Sequence, residues 1–308
     1  MLTVMTKNAL LVILALLAPA TSWAQAGLST PQQPSFKSGV ELVTVFAVVR
    51  DRHGRPITGL TSRDFDVVDS GQSRPITDCR VEQGPITVAI LADISGSMVV
   101  SARLAAVRAT VRHLLSWLIS GEDELALFAF DDELHELQTF TTNHSEVENR
   151  LDSLRSFGNT SLYDAIWKVG VELAGRPGSR GAVFVITDGQ DTHSRLSAAE
   201  AARVVRLVDV PVYIIAVDPS PDHASEPIAD SLKGLSHATG GEYFTTSSPA
   251  HTSLAVRQIV EELRHRYVIA FEPGSPAGWH SLAVRTTNKH LIVRARSGYL
   301  AGAHREPT

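Results

Sequence analysis

Residues 93 to 97 of this 308-residue chain read Asp-Ile-Ser-Gly-Ser, directly after the apolar run Val88-Ala89-Ile90-Leu91-Ala92. A carboxylate followed by hydroxyls at every second residue can turn three oxygens toward one point, and oxygen ligands suit a hard cation such as Mg²⁺. A second carboxylate, Asp188 in Val-Ile-Thr-Asp-Gly, ends another apolar run. In open α/β sheets ligands collect at the carboxyl ends of strands, so Asp93 and Asp188 are expected on one rim. A strand-end aspartate is also a common turn residue or helix cap, and that reading stands for isolated cases such as Asp131 and Asp218. Ser95 and Ser97 set Asp93 apart from them, although Ser95 could equally cap a helix. Asp164 is read as hydrogen bonding near a helix start, and Asp191 as a loop residue, with a place behind the ion's ligands as the alternative.

Other chemistries lack their parts. The 12 histidines form no H-x-x-x-H or H-E-x-x-H pair, so a zinc site has no ligand set. No glycine-rich phosphate cradle of the dinucleotide or P-loop type is present. The rival reading is a hydrolase with Ser95 or Ser97 as nucleophile, or Asp93 accepting a phosphoryl group. A serine elbow needs G-x-S-x-G, however, and Ser95 stands where phosphoaspartate chemistry calls for a second aspartate. A binding role without catalysis is therefore expected.

The elements that must position these residues follow from the apolar pattern. From about residue 85 to 264, strand-like runs alternate with helical ones: ITVAILAD, then VVSARLAAVRATVRHLLSWLIS; ELALFAFDD, then EVENRLDSLRS and SLYDAIWKVGVELAG; AVFVITDG, then AAEAARVVRLV; VPVYIIAVDP, then IADSLKGLSHATG; GEYFTT, then SLAVRQIVEELRHR. The strands lack polar alternation, which predicts a mostly parallel, doubly wound sheet covered by helices on both faces. On either side lie β-branched runs broken by turn residues, about three strand candidates at each end. Neither set closes a sheet alone, so both termini are expected to build one six-stranded layer or sandwich.

On these residues the middle segment resembles a von Willebrand factor A domain, and Asp93-Ile94-Ser95-Gly96-Ser97 matches the D-x-S-x-S of its metal-ion-dependent adhesion site. The resemblance maps the family's distant threonine to Thr160 in F-G-N-T-S-L-Y-D-A and its later aspartate to Asp188. It implies a divalent cation, Mg²⁺ first with Mn²⁺ or Ca²⁺ as alternatives, held by Asp93, Ser95, Ser97, Thr160 and Asp188. It further implies a protein partner that presents an Asp or Glu carboxylate to the ion. V-F-A-V-V-R-D-R-H-G-R-P-I-T-G-L-T-S-R-D-F before this segment, with Y-V-I-A-F-E-P and R-A-R-S-G-Y after it, resembles the acidobacterial family related to von Willebrand factor A.

The organisation expected is a signal peptide over 1–26, a flexible leader over 27–38, β segments over 39–83 and 265–300 flanking an A domain over 84–264, and a tail over 301–308. Lys7, the apolar stretch Ala9 to Ala18 and Ala24-Gln25-Ala26 resemble an export signal, which implies a secreted or periplasmic protein. No later run is long and apolar enough to span a membrane. Cys79, the sole cysteine, allows no internal disulfide and is expected to be buried in a strand. A net charge of -5 without a basic block argues against nucleic acid, and Arg103, Arg108 and Arg112 read as the solvated face of a helix.

Overall fold

The computed structural model describes residues 42–176, 180–207, 209–217, 226–274 and 276–302. The segments read as signal peptide and leader, Asp218 and the last six residues of the tail lie outside the described residues. Four strands come first: β1 (Val43–Arg50), β2 (Phe65–Asp69), β3 (Gln72–Arg74) and β4 (Ile76–Val81). An α/β stretch follows with β5 (Thr87–Asp93), a 3-10 segment over Gly96–Ala102, α1 (Arg103–Trp117), β6 (Glu124–Phe130), β7 (Leu134–Thr141), α2 (His144–Leu151) and α3 (Leu162–Ala174). It continues through β8 (Gly181–Thr187), α4 (Ala198–Val205), β9 (Val212–Val217), α5 (Glu226–Thr239), β10 (Tyr243–Thr246) and α6 (Pro249–Arg264). The last strands are β11 (Tyr267–Phe271), β12 (Gly278–Thr286), β13 (Ile292–Ala295) and β14 (Gly298–Ala301).

The α/β stretch forms a six-stranded sheet in the order β10-β9-β8-β5-β6-β7, parallel except for β7. Every residue of β5, β8 and β9 is buried, which explains the unalternated aliphatic runs. Ile90 packs with residues of α1, α2 and α6 on one face, while Ala89 and Leu91 pack with α3, α4 and α5 on the other. The antiparallel edge strand β7 was not anticipated. It is only half-buried, and register shifts against β6 blur its alternation. The helix expected from Val99 starts only at Arg103, because the adjacent β-branched Val99 and Val100 favour helix poorly. Ala102, between the 3-10 segment and α1, takes the left-handed conformation with φ 60°.

The flanking strands interleave. β13-β1-β11-β4 form one antiparallel sheet and β14-β12-β2-β3 another, so each end of the described chain supplies four strands, more than the three expected. Val45, Val67, Ile269 and Phe271 fill one core between the two sheets. Two breaks divide the strands. Pro75, which has no N–H to donate, separates β3 from β4. Between β13 and β14 the chain passes to the second sheet at Gly298, where a Cβ would meet the Trp279 ring at 2.2 Å. Cys79 lies in β4 and is half-buried.

Buried charges seat this sandwich on the α/β unit. Arg50 of β1 donates to Glu242 at 2.7 Å and to Glu262 of α6 at 3.0 Å, and Arg294 of β13 bonds the same two carboxylates. Gln258 adds a donor to each glutamate. Arg180 and Arg266 likewise share Glu82, while Arg180 also donates to the Leu263 carbonyl.

A second buried cluster lies in the β14-β12-β2-β3 sheet. His280 has Nδ1 2.6 Å from Asp69 Oδ1 and Nε2 2.7 Å from the Pro276 carbonyl, so both nitrogens face acceptors. Arg74 and the Gly274 amide also donate to Asp69, and the Tyr299 hydroxyl lies 3.4 Å from Nδ1. Only the imidazolium serves both acceptors, and the bonds to Pro276 and Asp69 hold the His280 pKa above 6.5. Its stabilisation is therefore complete below about pH 6.5 and is lost as pH rises through the folded pKa. Denaturant unfolding measured between about pH 6 and about pH 9 should show stability falling as pH rises, and His280→Gln should flatten that slope. An identical slope in the variant would show that the dependence arises elsewhere.

Candidate metal centre

Strands β5 and β8 are parallel neighbours with Ala92 opposite Ile186, so the chain brings Asp93 and Thr187 side by side at their carboxyl ends. Asp93 is wholly buried. Its Oδ2 accepts from Thr187 Oγ1 at 2.6 Å and its Oδ1 from the Ser95 amide at 2.9 Å. Ser95 Oγ lies 3.1 Å from Ser97 Oγ. The oxygens of D-x-S-x-S thus gather in one turn, where Ser95 occupies the cap position of the 3-10 segment without a side-chain cap bond. Burial is the largest influence on the Asp93 carboxyl and the Asp188 charge adds to it; the bonds from Ser95 and Thr187 oppose, and the net effect raises its pKa to about 6. A cation alongside would reverse that balance.

Thr160 arrives on a second loop. The Phe157 amide donates to the Ile94 carbonyl at 2.8 Å and the Gly96 amide to the Gly158 carbonyl at 2.9 Å, closing this loop onto the first. A third loop, after β8, reaches back: Thr192 and His193 both donate to the Thr160 carbonyl at 2.9 Å, and the Thr160 amide donates to Thr192 Oγ1 at 3.0 Å. Thr160 is buried between them.

Asp188, next after β8, is buried and accepts at Oδ2 from Arg103 Nη1 at 2.9 Å. The same Nη1 lies 3.3 Å from the Ser97 carbonyl. This corrects the reading of the α1 arginines as a solvated face. Arg103 is buried, and Arg108 donates to the Leu151 and Leu154 carbonyls; Arg112 alone of the three pairs in the open, with Asp152. Asp191, read as a loop residue, is instead a cap for α3: its Oδ1 accepts from the Leu162 amide at 2.9 Å and from Ser194 Oγ. Asp164 accepts from the amides of Arg195 and Leu196. Asp131 stays in the β6–β7 turn, accepting from the Glu133 amide and facing His135.

Arg103 and Thr187 are the site residues that pattern reading missed. Arg103 left no local signal, since a helix expected from Val99 puts it beyond the first turn; only the observed start at Arg103 sets a cation against the helix dipole. The donors fit a hard divalent ion. They are carboxylate and hydroxyl oxygens, both carboxylates are buried, and one guanidinium already seats positive charge against Asp188. Among the described residues no three His, Cys, Asp or Glu side chains form a metal cluster of another kind.

Residues 88–190 match the family model of the von Willebrand factor type A domain, a span that includes all five residues of the expected ligand set. No curated protein matches the chain. A von Willebrand factor type A structure from Catenulispora acidiphila aligns over 85% of this chain and 73% of its own at 12% identity, with a TM-score of 0.50, and shares the mixed α/β fold. BatB from Bacteroides thetaiotaomicron aligns over 57% of this chain and 98% of its own at 19% identity, TM-score 0.48. The von Willebrand factor domain of the pilus tip protein Mfa5 from Porphyromonas gingivalis aligns over 58% and 95% at 14% identity, TM-score 0.47.

The loop that delivers Thr160 depends on Gly158, which has φ 74° and where a Cβ would sit 2.7 Å from Asp132 Oδ2, the carboxylate that also holds the Asn159 amide. Gly121 has φ 89° with open space around it. Gly121→Ala should cost about 1–2 kcal/mol from the left-handed backbone alone, and Gly158→Ala clearly more. Equal losses in denaturant unfolding would mean that the Asp132 contact does not impose the glycine.

Proposed function

We propose that this protein binds another protein through a divalent cation held by Asp93, Ser95, Ser97, Thr160 and Asp188, the arrangement of a metal-ion-dependent adhesion site. The observation that carries the reading is the gathering of Asp93, Ser95 and Ser97 in one turn, closed by the loop that bears Thr160. Ser95, Ser97 and Thr160 are neutral donors, so the set neutralises at most two positive charges. A bound ion would supply an open position for a partner's Asp or Glu carboxylate. Thr187 and the Ser95 amide orient Asp93 for this task.

The surroundings favour a macromolecular partner. Val99 is 70% and Val100 55% exposed on the 3-10 segment that follows the turn, and Phe157 is 76% exposed on the loop that bears Thr160. Exposed apolar side chains beside a polar centre are a common setting for protein contacts. Export to the periplasm or outside the cell, and a role in adhesion or envelope-complex assembly, complete the proposal; they rest on the likeness of the N-terminal segment to a signal peptide and of the whole chain to the acidobacterial family. Among the described residues no helix is long and apolar enough to cross a membrane.

The alternative, a hydrolase, draws on one observation: Ser95, whose amide donates to the Asp93 carboxylate at 2.9 Å, places a hydroxyl in the same turn as a carboxyl whose pKa burial raises to about 6. Calorimetry and melting with Mg²⁺ or Mn²⁺ separate the two. Ion at about 100 times its Kd should add about 2.7 kcal/mol of stability. Asp93→Asn should abolish binding, Ser95→Ala should weaken it less, and capture of a partner should follow the same order. Ester or phosphoester turnover that vanishes in Ser95→Ala at unchanged ion affinity would establish the hydrolase instead.

A further inference from the structure

We propose that Arg103 is a tethered counter-cation that competes with the divalent ion for Asp188, so that ion capture requires the head of α1 to release this ion pair. The inference rests on the metal reading above and adds a control to it.

Arg103 and Asp188 are both buried, with side chains only 7% and 1% exposed, and Nη1 lies 2.9 Å from Oδ2. The same nitrogen contacts the Ser97 carbonyl, so the guanidinium lies between two of the segments that would hold the ion. Two local rules are broken to put it there. Arg103 is the first residue of α1, where the helix dipole disfavours a cation, and Ala102 before it takes a left-handed backbone without being glycine. Neither choice serves the helix, so both point to a tertiary requirement for positive charge at this spot.

Charge decides how the guanidinium and the ion relate. Asp93 and Asp188 carry two negative charges between them. With Arg103 in place one remains to be offset, whereas a divalent ion beside a retained guanidinium would leave a buried site net positive. In a poorly solvated site like charges at such separations repel strongly. Before any partner carboxylate arrives, the arrangement of lowest charge with the ion bound is the one in which Arg103 has swung away from Asp188. Ion affinity is then reduced by whatever holds Arg103 in, and it rises when a partner draws the head of α1 and the neighbouring Val99 and Val100 outward.

The test uses the whole protein and Mn²⁺ in calorimetry. Arg103→Met, which keeps length but loses charge, should bind Mn²⁺ about tenfold more tightly than wild type, within the usual range of coupling between competing ligands. Its melting temperature should be lower than wild type without ion, since Asp188 is left buried and unpaired, and the gap should close when Mn²⁺ saturates. Equal or weaker Mn²⁺ binding by Arg103→Met would make Arg103 a fixed structural staple and overturn the inference while leaving the metal reading intact. Absence of binding by both proteins would overturn the metal reading and this inference together. If Arg103→Met does not fold, the wild type decides: the Arg103 Nε–H signal in ¹⁵N NMR, assigned with Arg103→Lys, should shift on saturation with Mg²⁺ as the ion pair opens, and an unmoved signal would overturn the inference.

Discussion

A carboxylate at the end of a strand with both faces covered has no water to stabilise its charge. That constraint, imposed on Asp93 by the helices on either side of β5, organises the whole rim. Thr187 is placed by the parallel register to give one oxygen a donor, and the chain folds back at Ser95 to give the other an amide. The tight path past Gly96, where a Cβ would lie 3.1 Å from the Gly158 carbonyl, lets the loop of Thr160 close over the turn. The loop after β8 then pins Thr160 from the far side through Thr192 and His193. Each step answers an unsatisfied group left by the previous one, so the oxygen set comes out of the polar accounting of one buried aspartate.

The sandwich stands in a different relation to that rim. Its contact with the α/β unit is built on charge: Arg50 and Arg294 enclose Glu242 and Glu262, and Arg180 and Arg266 meet on Glu82. Buried ion pairs add little net stability over apolar packing, but removing one partner is costly, about 3–5 kcal/mol, because a charge is left without solvent. Such contacts therefore fix a geometry more than they strengthen it. Glu262 lies in α6, which packs against α1, so the mount grips the same helix layer that carries Arg103.

Much of this was legible in the sequence, for definable reasons. β5 and β8 announced themselves because burial on both faces removes polar alternation, and D-x-S-x-S because its spacing is fixed by one turn of backbone. The α/β class followed from the same runs. What escaped the pattern depends on partners remote in sequence: Arg103 has the composition of a surface helix residue, and only Asp188 gives it a buried role. Asp191 caps α3 from another loop, which no local signal encodes. The division of the C-terminal run into β13 and β14 turns on how closely Trp279 approaches Gly298. Thr160 entered the expected ligand set only through family likeness, since nothing in its immediate neighbours distinguishes it from a helix-start threonine.

The interleaved sandwich also sets an order of assembly. Strand β1 has β13 on one side and β11 on the other, both from the opposite end of the chain. As the polypeptide emerges from the ribosome, the apolar β1 is made first and its partners last, so it must wait through synthesis of the whole α/β unit with both hydrogen-bonding edges open. The α/β unit, whose six strands pair only with one another, can condense meanwhile. Closure of the sandwich is then the late, non-local step, and a holding factor that shields an extended apolar segment would act on residues 43 to 50 until β11 appears.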